Sequence, residues 1–203
     1  MTSATSSARL EKDVLVVAID FTSADSYLAL EPAIALANEL SLKLSLRPFT
    51  VRQSPIPSES PNENDAQRHK RIRAQYRHLD TRRYAQIRGI ELLADPIGID
   101  PTLAHLGLIV ATNHGVEPQY AQVVFGKFWK NELDLECEDE IVSVLRRVGV
   151  RNTDFLKEMQ PQLSEIRERL LSQEVFSVPT FLVKDERFIG RQHIPMIRKL
   201  LEI

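Results

Sequence analysis

Pro179 constrains this chain more than any other residue. It follows Val178 and precedes a run of β-branched and apolar residues, 180–184 (TFLVK), that predicts a strand. Residues 184–186 (KDE) are turn material and 187–189 (RFI) return as a second short strand, so a hairpin is expected. A proline at the head of such a strand has no N–H for a ladder and admits a cis peptide, which leaves a neighbour's backbone groups free at the sheet end. An amphipathic helix is predicted ahead of it over 163–173, and a final helix behind it over 195–201.

Upstream, residues 1–12 are rich in Ser, Thr and Ala, and fraying is expected there. Residues 13–21 (DVLVVAIDF) form a continuous apolar run of strand length, the pattern of a central strand covered on both faces. Over 26–40, Tyr27, Leu30, Ile34, Ala37 and Leu40 recur at helical spacing. Pro32 falls inside that helix and removes one of its backbone bonds, which predicts a kink. Leu42, Leu44 and Leu46 alternate within 42–51 and predict a second strand. Strand, helix and strand in this order imply a parallel, right-handed unit. Residues 54–64 (SPIPSESPNEN) set three prolines among polar spacers and read as a linker. Beyond it, helices are predicted over 65–88, 101–112, 118–131, 138–148 and 153–160, with no strand in that block.

The wording VFSVPTF followed by FIGRQHIPMIRKLL, in this order of elements, resembles the DsbA-like thioredoxin superfamily. Within it the chain is most similar to the branch of 2-hydroxychromene-2-carboxylate isomerase and the kappa-class glutathione transferases. That branch's DF-x-S-P-x-S-Y-L-A stretch is matched by Asp20, Phe21, Ser23, Ser26, Tyr27, Leu28 and Ala29. Its Y-x3-D-x2-R-x5-G pattern is matched by Tyr76, Asp80, Arg83 and Gly89. Phe125, Phe128 and Trp129 look like its F-x2-F/Y-W segment, and their spacing is that of core residues. The resemblance implies an α/β, thioredoxin-like fold with a large all-helical insertion. Residues 13–60 would be its N-terminal half, 61–161 the insertion and 162–203 its C-terminal half.

The turn Thr22-Ser23-Ala24-Asp25-Ser26 delivers side chains to a helix N-terminus, where exposed N–H groups and the helix dipole favour negative charge. Redox relatives carry Cys-x-x-Cys there; here the same spacing reads Ser23-x-x-Ser26. Serine is a preferred N-cap, and Ser26 is expected to be that cap. For Ser23 the resemblance implies a catalytic contact with the sulfur of glutathione. A hydroxyl donating to a thiolate, with the helix terminus, lowers a thiol's pKa from ~8.5 toward neutrality. No histidine stands near Ser23 in sequence to serve as its base, so it is not expected as a nucleophile. Asp25 occupies a place where the branch has an aromatic residue, and a carboxylate there works against a neighbouring thiolate.

For glutathione itself the resemblance points to Val178 and Pro179, and to Gln192 and His193. The resembling enzymes have Asp and Arg at the last two places, the acid holding the γ-glutamyl ammonium. Gln192 keeps a hydrogen bond but loses the ion pair. Capping of the last helix is the equal alternative for Gln192 and His193.

Several function classes are set aside. A net charge of −2 supplies no field for nucleic acid or an anionic membrane. The helix over 67–88 is strongly basic, but it lacks stacking aromatics paired with its cations, and Tyr76, Leu79, Arg83 and Ile87 recur at core spacing, so its cations read as a solvated face balanced by the acidic run over 132–140. No stretch has the apolar length of a membrane span, and the first residues lack the apolar core of a secretory signal, so a cytoplasmic location is expected. The single cysteine, Cys137, excludes an internal disulfide and any CxxC pair. His69, His78, His105 and His114 show no metal-ligand spacing, so no metal is expected. The reading is a glutathione-dependent isomerase or transferase acting on a small hydrophobic, aromatic substrate, with a homodimer implied by the resemblance alone. The alternative is a non-catalytic thioredoxin-like binding protein. A dithiol–disulfide oxidoreductase is set aside because Ser23 supplies no thiolate.

Overall fold

The computed structural model describes residues 14–152, 156–184 and 186–202. In chain order these form β1 (Val14–Ile19), α1 (Ala24–Glu39), β2 (Lys43–Pro48), α2 (Asp65–Ile87), α3 (Thr102–Asn113) and α4 (Glu117–Phe128). They continue with α5 (Glu138–Arg147), α6 (Gln160–Ser172), β3 (Thr180–Val183), β4 (Glu186–Ile189) and α7 (Ile194–Leu201). Short 3-10 turns, Lys157–Met159 and Arg191–His193, lead into α6 and α7. The frayed start expected over 1–12, strand residue 13, residues 153–155 of a predicted helix and turn residue 185 lie outside the described residues.

The sheet runs β2-β1-β3-β4. β1 and β2 are parallel with Val14 beside Lys43, while β3 is antiparallel to both β1 and β4. The unbroken apolar run of β1 is explained by its two covered faces. Leu15, Val17 and Ile19 join a core with Leu36 of α1, Leu108 of α3, Tyr120 and Phe125 of α4, and Phe181 of β3. Val16 and Ala18 face the other way, toward Phe49, Leu170 of α6, Val175 and Leu182. Each Val, Leu, Ile or Phe side chain so removed from water contributes roughly 1.5–3 kcal/mol, and the first of these two cores holds the helical block to the sheet.

Three expectations need correction. α1 begins at Ala24 rather than 26, because Ser23 caps it. α6 begins at Gln160 rather than 163, with Pro161 in its first turn, where a missing N–H breaks no intrahelical bond. The core-like spacing within α2 marks an exposed stripe: Tyr76, Leu79 and Ile87 are 61%, 52% and 82% exposed, Arg83 is exposed too, and only Arg71 and Ala85 are buried. Periodicity reveals a face but not what covers it, and α2 turns its Ala85 side toward the fold.

Pro32 does not interrupt α1. Lacking an N–H, it leaves the carbonyl of the buried Leu28 without its intrahelical donor. Arg88, at the C-terminal cap of α2, fills that place: its Nη1 donates to the Leu28 carbonyl at 2.6 Å while Nη2 engages Glu31. A proline in one helix thus creates the acceptor that anchors the end of another. Arg88→Ala is expected to cost about 1–3 kcal/mol, the range for leaving a buried acceptor unpaired. Adding Pro32→Ala restores the N–H and should recover much of that loss in urea unfolding. No recovery would mean that the Leu28 carbonyl is not what Arg88 satisfies.

Candidate functional site

The site begins at the turn from β1 into α1. Asp20 is fully buried, and such a carboxylate is tolerated only when donors surround it. Its Oδ1 accepts from the N–H and the hydroxyl of Thr22, at 2.9 and 2.8 Å, and Oδ2 accepts from the Val51 N–H at 2.7 Å. The Asp20 N–H donates to Ser26 Oγ at 3.3 Å, and its carbonyl accepts from the Ser23 N–H at 3.0 Å. One carboxylate therefore fixes the turn and ties it to the chain leaving β2.

This register decides the two serines, and it reverses the expected cap. Ser23 is the N-cap: its backbone is extended (φ −99°, ψ 113°), Oγ accepts from the Ser26 N–H at 3.2 Å, and its carbonyl accepts from the Tyr27 N–H. Ser26 lies inside the first turn, wholly buried beneath the Asp20 N–H. Both residue types suit a cap, so spacing alone could not choose; the hydrogen bonds of Asp20 do. Capping uses one lone pair of the Ser23 hydroxyl and leaves its proton to donate elsewhere.

A cleft of about 360 Å³ opens beside this terminus. Asp25 of α1 forms part of its wall, with Tyr76, Arg77, Asp80, Thr81 and Tyr84 of α2 across from Ser177, Val178, Pro179 and the stretch from Ile189 to Gln192. The Val178-Pro179 peptide is cis. The Gly190 N–H donates to the Pro179 carbonyl at 2.8 Å from a backbone with φ +97°, a conformation that favours glycine. Among the described residues, neither the N–H nor the carbonyl of Val178 makes a hydrogen bond.

The structure brings Val178, Pro179 and Gln192 together at this cleft. Gln192 is exposed, and its Nε2 donates to the Ile189 carbonyl at 3.1 Å. Ser23 is 8% exposed and is not itself part of the cleft wall, although Asp25, two residues on, is. His193 does not line the cleft; its ring sits by Phe188, 6.1 Å between centroids. The turn before α7 carries Arg191, rather than His193, to the cleft.

Sequence reasoning missed Arg191. Its Nη1 donates to Asp25 Oδ1 at 3.1 Å and its Nη2 to Asp80 Oδ2 at 3.3 Å, while the guanidinium lies 3.9 Å over the Tyr84 ring. Thr81 also donates to Asp25 Oδ1, at 3.1 Å. The available signal was Asp80 and Tyr84, one helical turn apart on α2, together with an unexplained acid at 25.

Sequence reasoning weighed His105, on α3, only as a metal ligand. This ring is fully buried, with Nε2 3.7 Å from Asp20 Oδ1 and Nδ1 3.2 Å from the Thr50 hydroxyl. Burial holds its pKa below the ordinary imidazole value, outweighing the opposing pull of Asp20 and Asp100. The ring is neutral at neutral pH, and its contact with Asp20 is polar packing rather than an ion pair. Phe21 lies against it, 5.6 Å between centroids, and against Phe125 at 4.8 Å; Tyr27 stacks on Phe125 at 5.3 Å. An aromatic floor thus lies behind the turn.

A larger hollow, about 570 Å³, is lined by Asp95, Glu132, Asp134, Glu136 and Glu140 among others. Its carboxylates repel an anion, and no helix N-terminal serine serves it, so the smaller cleft is the better site for a thiolate. Among the described residues no cluster of His, Cys, Asp and Glu is arranged to hold a metal. Among them, too, no helix is long and apolar enough to cross a membrane.

Residues 14–202 match the family model of the DSBA-like thioredoxin domain. The chain is similar to the 2-hydroxychromene-2-carboxylate isomerase of Pseudomonas putida, 22% identical over 187 residues, which span 90% of this chain and 91% of that protein. A solved selenomethionine 2-hydroxychromene-2-carboxylate isomerase aligns with a TM-score of 0.70 at 22% identity, over 93% of this chain and 94% of its own. A probable DsbA oxidoreductase from Streptomyces coelicolor aligns at 0.68 and 12% identity, over 93% and 88%. The cytosolic disulfide reductase DsbM of Pseudomonas aeruginosa, solved with GSH, aligns at 0.64 and 15% identity, over 93% and 97%. At these identities the likeness establishes a fold and leaves the chemistry to the residues.

His105 generates a pH prediction. Its pKa is lowered in the folded chain, so below about pH 6.5 the unfolded chain binds more protons than the folded one. Its contribution to stability is present above the unfolded value. It is lost as the pH falls from about 6.5 toward the folded value, by at most ~1.4 kcal/mol per pH unit for one proton. Urea unfolding across that range should show this slope in the wild type and a flatter one in His105→Gln. Equal slopes would contradict the assignment.

Proposed function

The chain belongs to the DSBA-like thioredoxin domain family, and from that premise we propose that it is a glutathione-dependent isomerase or transferase acting on a small hydrophobic, aromatic substrate. The observation that carries the reading is Ser23: an N-cap serine at the N-terminus of α1, its hydroxyl proton uncommitted, beside a cleft with partly apolar walls.

The residues present fit glutathione at its sulfur end. The terminus of α1 offers positive potential and Ser23 a donor, which together favour an anionic sulfur. The unpaired N–H and carbonyl of Val178 suit the main chain of a peptide ligand, and Pro179 closes the wall beside them. Gln192 offers its amide oxygen toward the other end of such a ligand. His193 takes no part in this reading. When bound, glutathione supplies the nucleophilic sulfur. Val178 and Gln192 orient it, Ser23 holds the charge on sulfur, and Tyr76, Val178 and Ile189 offer apolar surface to an aromatic substrate. The names of the isomerase relative and of the DsbM structure with GSH support this reading. A cytoplasmic setting and a homodimer belong to the same proposal.

Disulfide exchange is disfavoured by the residues themselves. It needs a thiolate at this terminus, and the one cysteine, Cys137, stands at the start of α5 instead. Gln192 favours a second reading, a non-catalytic binding protein, because its amide is neutral where the resembling enzymes have an acid and is engaged by Ile189.

Calorimetric titration with glutathione tests the proposal, and binding at millimolar concentration or tighter is the expected result. Ser23→Ala should weaken thiolate binding by about 1.5–3 kcal/mol, one charge-assisted hydrogen bond, and cost about 1 kcal/mol of stability as a lost cap. Absence of binding by the wild type would remove the catalytic reading; binding without turnover of any aromatic substrate would favour the binding protein.

A further inference from the structure

The cleft carries two carboxylates close to the place where an anionic sulfur would sit. Asp25 and Asp80 expose 41% and 38% of their side chains. Asp25 stands in the first turn of α1, two residues beyond the cap, so its charge opposes the positive end of that helix. Left alone, it would discourage a thiolate at Ser23.

Arg191 changes this balance. Its side chain is 13% exposed, gives one nitrogen to each carboxylate and lies over the Tyr84 ring. Fixed by α1 and α2 from the turn before α7, the guanidinium keeps a geometry that a free surface arginine would not hold. The other charged or titratable groups at the cleft are Arg77, Tyr76 and Tyr84, all on α2; His193, on the same turn as Arg191, packs by Phe188 instead. Two cations, Arg77 and Arg191, therefore stand against two anions, Asp25 and Asp80, and only Arg191 bridges them.

We propose that Arg191 is a positioning residue: by holding Asp25 and Asp80 it offsets the carboxylate beside the N-terminus of α1, so that an anionic sulfur binds next to Ser23. The inference rests on the glutathione reading above and deepens it. It also assigns a partner to the one acid that distinguishes this turn from those it resembles.

The test is an ultraviolet thiolate titration of glutathione bound to the wild type, Arg191→Gln, Arg191→Lys, Asp25→Asn and the Arg191→Gln/Asp25→Asn pair, with affinities from calorimetry. Arg191→Gln should raise the bound thiol's pKa by about one unit, a roughly tenfold loss of thiolate near neutral pH. Arg191→Lys should keep most of the wild-type value, because the charge remains. The double variant should return close to the wild type, since the carboxylate that needed offsetting is gone. Asp25→Asn alone, which removes the opposing charge while leaving Arg191 its tie to Asp80, should lower the pKa. Arg191→Gln titrating like the wild type, or the double variant matching Arg191→Gln as a purely structural role requires, would overturn the proposal. So would a rise with Asp25→Asn. If the wild type binds no glutathione, the reading beneath the proposal is overturned and the proposal falls with it.

Discussion

Asp20 has no exposed surface, and its carboxylate is tolerated there because Thr22 and Val51 satisfy it. An ionised group buried without partners would cost many kcal/mol, whereas each charge-assisted hydrogen bond returns about 1.5–3 kcal/mol. The geometry of the turn follows from meeting that demand. Thr22 is drawn back, the N–H of Asp20 selects Ser26 Oγ, and Ser23 is left at the cap. The same carboxylate holds the chain beyond β2, so the sheet edge and the helix terminus are positioned by one group. His105 and Phe21 seal the cluster from water.

What this turn presents differs from a redox centre in one atom type. A thiolate at the helix terminus can exchange disulfides; a hydroxyl there supplies no thiolate and can only offer a hydrogen bond. The cleft adds the rest: unpaired backbone at Val178, aromatic surface from α2, and charges balanced across Asp25, Arg191 and Asp80. α2 supplies one wall while burying little of its own surface, so its place depends on polar ties to Arg191 and through Arg88.

The order of elements was legible because it rests on period and punctuation. The apolar run of β1, the alternation before residue 51 and the hairpin behind Pro179 each carry a local signal, and the paired strands lie where those signals place them. The choice between Ser23 and Ser26 was not legible, since both are good caps and the decision is made by a hydrogen bond from Asp20. The core-like spacing in α2 misled for a related reason, although its basic face is solvated as expected: a period of 3.6 announces a face, and only tertiary packing says whether it is covered. The places of Arg191 and His105 were not legible because their partners, Asp25 with Asp80 and Asp20 with Thr50, are remote in sequence. Long-range polar contacts leave no periodic trace.

The most direct test of this account is a crystal structure of the protein grown with glutathione. The account predicts the sulfur within hydrogen-bonding distance of Ser23 Oγ at the N-terminus of α1, with the cysteinyl backbone paired to the N–H and carbonyl of Val178. Glutathione bound with its sulfur directed away from Ser23, or lodged in the acidic hollow around Glu132 and Glu140, would contradict it.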